Sequence, residues 1–248
     1  MTVDRFSLLK SFLIPCLLSL AGCSSEEQPK FTGNMVLAIS WQPGFCETRR
    51  KLAECRSQTP ERLDATRFSL HGLWPQPGSN VYCRTEDRFV RLDKSRQWLK
   101  LPRLDLSEPL QTELEEAMPG VQSGLQRHEW VKHGTCYSAD AETYYRDSLF
   151  LLAKVNESGI GELFSTSIGK QLSSKTIRAA FDQAFGRGAG DRVRMACRRV
   201  GNRTLITELT IGLSGEISTD ADPGDLILAS PKTKPGCQAG IVDAVGFQ

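Results

Sequence analysis

The chain has 248 residues, 40% of them hydrophobic and 24% charged. That length suits one sizeable domain, and that composition excludes both a disordered chain and one dominated by membrane spans. The formal net charge is only +2, so no overall basic field announces a nucleic-acid partner; a protein that must release an anionic substrate needs a local basic groove instead.

The N-terminus reads as an export segment. Arg5 and Lys10 flank a start that leads into "SFLIPCLLSL", an apolar run too short to span a bilayer. It closes in "LAGC", Leu20 to Cys23, which resembles the lipobox of bacterial lipoproteins. By that resemblance residues 1–22 are a signal peptide, and Cys23 is lipidated and becomes the first residue of the mature chain. Ser24 follows it, rather than the Asp that tends to retain such lipoproteins at the inner membrane. The expected address is therefore periplasmic, at the outer membrane, with the lipid as the only membrane contact. Residues 23–33 contain the polar "SSEEQPK" and suit a short tether. Export also gives the cysteines a meaning. With Cys16 and Cys23 set aside, Cys46, Cys55, Cys83, Cys136, Cys197 and Cys237 remain. An even set in an oxidising compartment reads as three disulfides of open connectivity. A metal cluster would favour C-x-x-C spacings, and the sequence has none.

Beyond the tether, "MVLAISW" (35–41) has the length of a buried strand, and "QPGFC" then turns the chain. "RFSLHGLW" (67–74) alternates and stops at the prolines, as a strand does. Residues 75–110 are rich in Pro, Asp and Arg and read as long loops with a short helix around Trp98. A helix is expected over 108–118, with Ser107 as N-cap and Pro119-Gly120 ending it, and the next helix should hold "HEWVKHGTC". "DAETYYRDSLFLLAKVNES" reads as a helix stopping near Gly159, and "SSKTIRAAFDQAFG" as one capped by Ser173 or Ser174 and terminated at Gly186. "RVRMACRRV" and "TLITELTIGLS" look like strands of a hairpin joined by "GNR", and the remaining tail reads mostly as loop. Strands and helices mix without regular alternation, which implies an α+β domain with a central antiparallel sheet packed with several helices.

The chemistry concentrates in "HEWVKHGTC", which holds two of the chain's three histidines, His128 and His133, with Glu129 and Lys132. On an α-helix at roughly 100° per residue these four side chains span an arc of about 140°. One face can therefore present them all to one cleft, with Trp130 and Val131 anchoring the helix and Gly134 stopping it. Zinc is disfavoured, because the second histidine stands five residues after the first rather than four, and the position between is a lysine. A solvated Glu/Lys face would leave the histidines without a purpose. Imidazoles titrate near neutral pH, and a cation beside them offsets the charge of a phosphate. His71, in "SLHGLWPQ", supplies a second imidazole on a separate element. Cleavage at an RNA 2′-hydroxyl needs that pair, one ring to take the proton and one to give a proton to the departing 5′-oxygen.

"FSLHGLWPQ" and "HEWVKHGTC" together resemble the two active-site segments of the T2-type ribonuclease family, in order and spacing, and "LAISWQPGFC" resembles its opening segment. The likeness runs from about residue 34 to the end, so 34–248 is expected to be one catalytic domain. The resemblance implies that His71 is the general acid in the transfer step and His133 the general base. It also implies that His128 contacts the phosphate, with Glu129 and Lys132 as its partners in the transition state. Trp74 corresponds to an aromatic that helps hold a base. The implied disulfides are Cys46 with Cys55, Cys83 with Cys136, and Cys197 with Cys237. Gln76 stands where many relatives carry an acidic base-reading residue, Leu125 where an aromatic often precedes the second segment, and Ser40 and Gln42 depart from the common Gln-Trp-Pro order. The implied protein is a monomeric, metal-independent endoribonuclease without a cofactor, acting on RNA through a 2′,3′-cyclic phosphate. The alternatives are a zinc-dependent hydrolase and an RNA-binding protein without turnover.

Overall fold

The computed structural model describes residues 1–2 and 30–247. The signal segment, most of the tether and the expected lipidation site Cys23 lie outside the described residues. Six strands form one sheet: β1 (Asn34–Ser40), β2 (Ser69–Pro75), β3 (Gln171–Ser173), β4 (Val193–Val200), β5 (Arg203–Ser214) and β6 (Ala239–Ile241), in the order β2-β1-β5-β6-β3 with β4 on β5. Pairing is antiparallel except for the single contact of β5 with β6, so the expected α+β architecture holds.

Period-two alternation decides which face is which. Met35, Leu37 and Ile39 of β1 are buried in the core with Leu209, Ile211 and Leu213 of β5. Opposite faces carry small or polar residues, among them Ser40 paired with Glu208 and Ala38 paired with Thr210. Helices cover the core face. Helix α7 (Ala141–Asn156) is N-capped by Asp140, whose carboxylate accepts from Thr143 N at 2.7 Å, and buries Tyr144 and Tyr145. The Tyr144 hydroxyl donates to Leu73 O and accepts from Leu73 N, both at 3.0 Å, which clamps β2 to the helix. Trp41, fully buried, packs on Phe68 and Phe164 and donates from Nε1 to Asp243 O at 2.8 Å.

Several segments depart from the sequence expectation. "QPGFC" is not a simple turn but helix α1 (Gln42–Glu47), with Pro43 in its first turn, where a missing N–H costs nothing. A short helix α2 (Ala53–Arg56) follows. The stretch read as loops contains helix α3 (Asp87–Lys94), whose polar composition hid its periodicity, and Trp98–Lys100 form a helical turn. Helix α4 (Glu108–Ala117) starts after Ser107, but the Ser107 hydroxyl donates to Glu142 at 2.7 Å rather than capping its own helix.

The "HEWVKHGTC" segment is not one regular helix. It runs from α5 (Leu125–Glu129) through a π turn (Trp130–Gly134) into α6 (Thr135–Tyr137). Gly134 does not end the helix; a Cβ there would lie 2.3 Å from the Trp130 ring, so the glycine serves close packing. The segment expected to stop near Gly159 ends at Asn156, and a separate α8 (Gly159–Thr166) is capped by Ser158. Helix α9 (Ser174–Phe185) is capped by Ser173. The tail contains α10 (Pro223–Ala229) and β6, which a sequence reading limited to local pattern misses because β6 is three residues long.

Disulfides join Cys46 to Cys55, Cys83 to Cys136 and Cys197 to Cys237. Among the described residues no helix is long and apolar enough to cross a membrane.

Candidate active site

His71 occupies a bulge. Ala38 of β1 pairs with Gly72 and Ile39 with Leu70, so His71 is the extra residue on β2. Its Nδ1 lies 2.6 Å from Glu208 Oε2 of β5, two strands away, across the small Ser40 that pairs with both Ser69 and Glu208. An ionised carboxylate can only accept, so Nδ1 carries the proton and Nε2 faces the site. Nε2 stands 3.6 Å from Glu129 Oε1. Burial pulls the His71 imidazole down, but the hydrogen bond to Glu208 and the charges of Glu129 and Glu208 outweigh burial and the Lys132 cation, and its pKa ends above the ordinary histidine value.

Glu129 is the hub. It is 1% exposed; its Oε2 accepts from Trp74 Nε1 at 2.8 Å, and its Oε1 faces His71 Nε2 at 3.6 Å and His128 Nε2 at 3.5 Å. The carboxylate sits directly over Gly72, where a Cβ would come within 2.1 Å of Oε2. "HGLW" therefore needs its glycine for space. His128 is fixed from the other side: Nδ1 donates to Asp93 Oδ1 at 2.5 Å, Asp93 also accepts from Tyr82 Oη at 2.8 Å, and Trp98 stacks on the imidazole at 4.4 Å. The Tyr82 N–H donates to Lys132 O at 2.8 Å, which ties this cluster to the π turn.

His133 is different. It is buried, its ring lies 5.6 Å from Trp74, and its Nδ1 has no hydrogen-bond partner among the described residues. Burial, then the positive charges of Lys132, His128 and His71, push its pKa down to about 3. The two imidazoles that flank Trp74 are thus shifted in opposite directions.

A cavity of about 640 Å³ opens over the cluster, lined by His71, His128 and Lys132 among others. The structure brings His71, His128, Glu129, Lys132 and His133 together, though not as one helical arc: the π turn redistributes them, and Glu129 and His133 are buried rather than presented to the opening. Trp74 joins the cluster by holding Glu129, and neither it nor Gln76 lines the cavity. Gln76 donates to Trp74 O at 3.2 Å. Sequence reasoning missed Glu208, Asp93 and Tyr82. Glu208 had a signal, a lone acid in the apolar alternation of "TLITELTIGLS"; Asp93 had none, because it lies in a charged stretch. Among the described residues no group of three His, Cys, Asp or Glu is placed to hold a metal ion.

Imidazoles whose pKa values are shifted in opposite directions, beside a lysine and a buried carboxylate, can move protons at an anionic substrate, and that chemistry, on a disulfide-stapled α+β scaffold, defines the class. A model of the ribonuclease T2 family matches residues 32–223, so the chain belongs to that family of RNA-cleaving enzymes. It is 28% identical over 233 residues to Ribonuclease I of Escherichia coli (strain K12), covering 86% of each chain. It is also 28% identical to the intracellular ribonuclease LX of Solanum lycopersicum, covering 72% of this chain and 71% of that protein. Among solved structures, RNase NT in complex with 5′-AMP superposes with a TM-score of 0.53 at 18% identity, over 88% of this chain and 98% of the other. The SF11-RNase of Nicotiana alata superposes with a TM-score of 0.52 at 16% identity, over 83% and 93%. These likenesses carry the fold.

Proposed function

We propose that the protein is a metal-independent endoribonuclease that cleaves single-stranded RNA by transesterification to a 2′,3′-cyclic phosphate and then hydrolyses the cycle to a 3′-phosphate. The observation that carries this reading is the split between His71, raised, and His133, lowered, around one cleft. His133 is neutral across the working range and takes the 2′-hydroxyl proton. A bound phosphate offsets the cations that depress it and so strengthens it as a base. His71 is held protonated by Glu208 and gives its Nε2 proton to the leaving 5′-oxygen. Lys132 and His128 stabilise the charge on the phosphorane, and Glu129 orients both histidines that face it. In the hydrolytic step the two proton-transfer roles exchange. DNA lacks the nucleophile and is not a substrate.

Residues 34–248 act in this reading as one catalytic domain and as a monomer, exported to the periplasm and held at the outer membrane through Cys23. Three disulfides support the oxidising compartment. The test is incubation of purified protein with RNA in EDTA, products being resolved by their 3′ ends. Cyclic-phosphate and then 3′-phosphate termini are expected. Binding without cleavage, or cleavage abolished by the chelator, would overturn the reading.

A further inference from the structure

Beyond the histidine cluster the same cavity is lined by three more cations, Arg49, Lys94 and Arg96. The two carboxylates of the lining have partners of their own: Glu54 accepts from Ser123 Oγ at 2.5 Å, and Asp93 holds His128 and Tyr82. Among the described residues none of the three cations is ion-paired with a carboxylate. With Lys132, the cavity wall therefore carries four cations against two carboxylates, an excess of positive charge beside the histidine cluster.

Arg96 is the most informative of the three. Helix α3 ends at Lys94 with Ser95 as C-cap, the Arg96 N–H donates to Asp93 O and the Gln97 N–H to Leu92 O, both at 2.9 Å. This double closure requires a left-handed residue after the cap, and glycine is the usual choice there. Here the residue is arginine at φ 57. A side chain in that region is strained relative to glycine, and such outliers persist where the side chain has work to do. The arginine is exposed at the rim of the cavity, two residues before the Trp98 that stacks on His128. Stability alone favours glycine; a guanidinium whose planar fork matches phosphate oxygens gives a reason to keep the strained residue.

We propose that Arg96, assisted by Lys94, is a binding subsite for an RNA phosphate adjacent to the scissile one, so that the cleft favours oligonucleotides over dinucleotides. The inference rests on the ribonuclease reading. Its test compares kcat/KM on a dinucleoside monophosphate, which carries only the scissile phosphate, with that on a hexanucleotide containing the same step, at several salt concentrations. Arg96→Gly is expected to lower the hexanucleotide-to-dinucleotide ratio about fivefold, the size of one exposed charge contact, mainly through KM. It should also flatten the salt dependence by about one phosphate contact. Its thermal midpoint should equal or exceed that of the wild type, because glycine accepts the left-handed conformation. Arg96→Asn, a residue also at ease there, should repeat the kinetic change. Arg91→Ala removes the same charge from an exposed position of α3 outside the cavity and should leave the ratio unaltered. If the wild type cleaves both substrates and the Arg96 variants keep its ratio and salt slope, the subsite is refuted. If the wild type cleaves neither, the ribonuclease reading itself has failed and the subsite falls with it.

Discussion

Replacing both Cys83 and Cys136 by serine tests how the segment that carries His128 to His133 is held. The bond closes a sequence separation of 53 residues, from the segment after β2 to α6. In the chain-entropy treatment a loop of that length constrains the unfolded ensemble by about 4 kcal/mol. For a domain of this size each kcal/mol moves the midpoint by roughly 2–4 °C, so the double variant should melt about 8–16 °C lower. The bond is not the only tie in this region. Cys83 is flanked by Tyr82, whose N–H donates to Lys132 O, by Arg84, which donates to Ser138 O, and by Thr85, whose hydroxyl donates to Val131 O at 2.9 Å. These contacts remain in the folded double variant, so activity at 25 °C should fall much less than stability does. Urea unfolding of the two proteins, with activity measured in the native baseline, separates the two effects. A stability loss under about 1 kcal/mol would refute the reasoning, because it lies far below the roughly 4 kcal/mol that loop closure gives here.

His71→Phe and His133→Phe should each lower kcat by about 10²-fold or more while the circular dichroism of the fold persists; substantial turnover in either variant defeats the role assigned to it. The wild-type rate should follow a bell-shaped pH profile. Its alkaline limb reports loss of the His71 proton, and Glu208→Gln, which keeps an acceptor but removes the charge, should move that limb to lower pH. The same pair contributes stability that is complete below the unfolded histidine value and lost as pH rises through the raised folded value, so the variant should differ least from wild type at high pH. Gly72→Ala drives a methyl into the Glu129 carboxylate and should destabilise the domain by about 1–3 kcal/mol with a loss of turnover; wild-type values in a urea melt and an RNA assay would contradict the close contact. Cys23→Ala should block lipid attachment and signal processing together, whereas a wild-type protein that fractionates as soluble and begins at another residue removes the lipid anchor and leaves only export.

The sequence by itself determined the features whose physics is local. A compact apolar run marked β1, alternation marked β2, and the "GNR" turn marked the β4–β5 hairpin; caps and acids marked α7 and α9; and the density of His128, Glu129, Lys132 and His133 marked the chemistry, since titratable groups crowded into six residues must share an environment. The α+β class followed from the order of those elements. What the tertiary structure decided are the partners that sequence separation hides. Glu208 reaches His71 across 137 residues because β1 lies between their strands and presents only Ser40 there. Asp93 reaches His128 from a helix whose mostly charged composition hid its periodicity, so nothing in its surroundings distinguished it from a solvated acid. The π turn is the clearest case. An ideal helix from the same nine residues would set four groups on one face, but packing of Trp130 against Gly134 and Tyr144 admits an extra residue in the turn. That extra residue leaves His133 buried, its Nδ1 without a partner among the described residues, and Lys132 at the cavity wall, and only the packed core can set that difference.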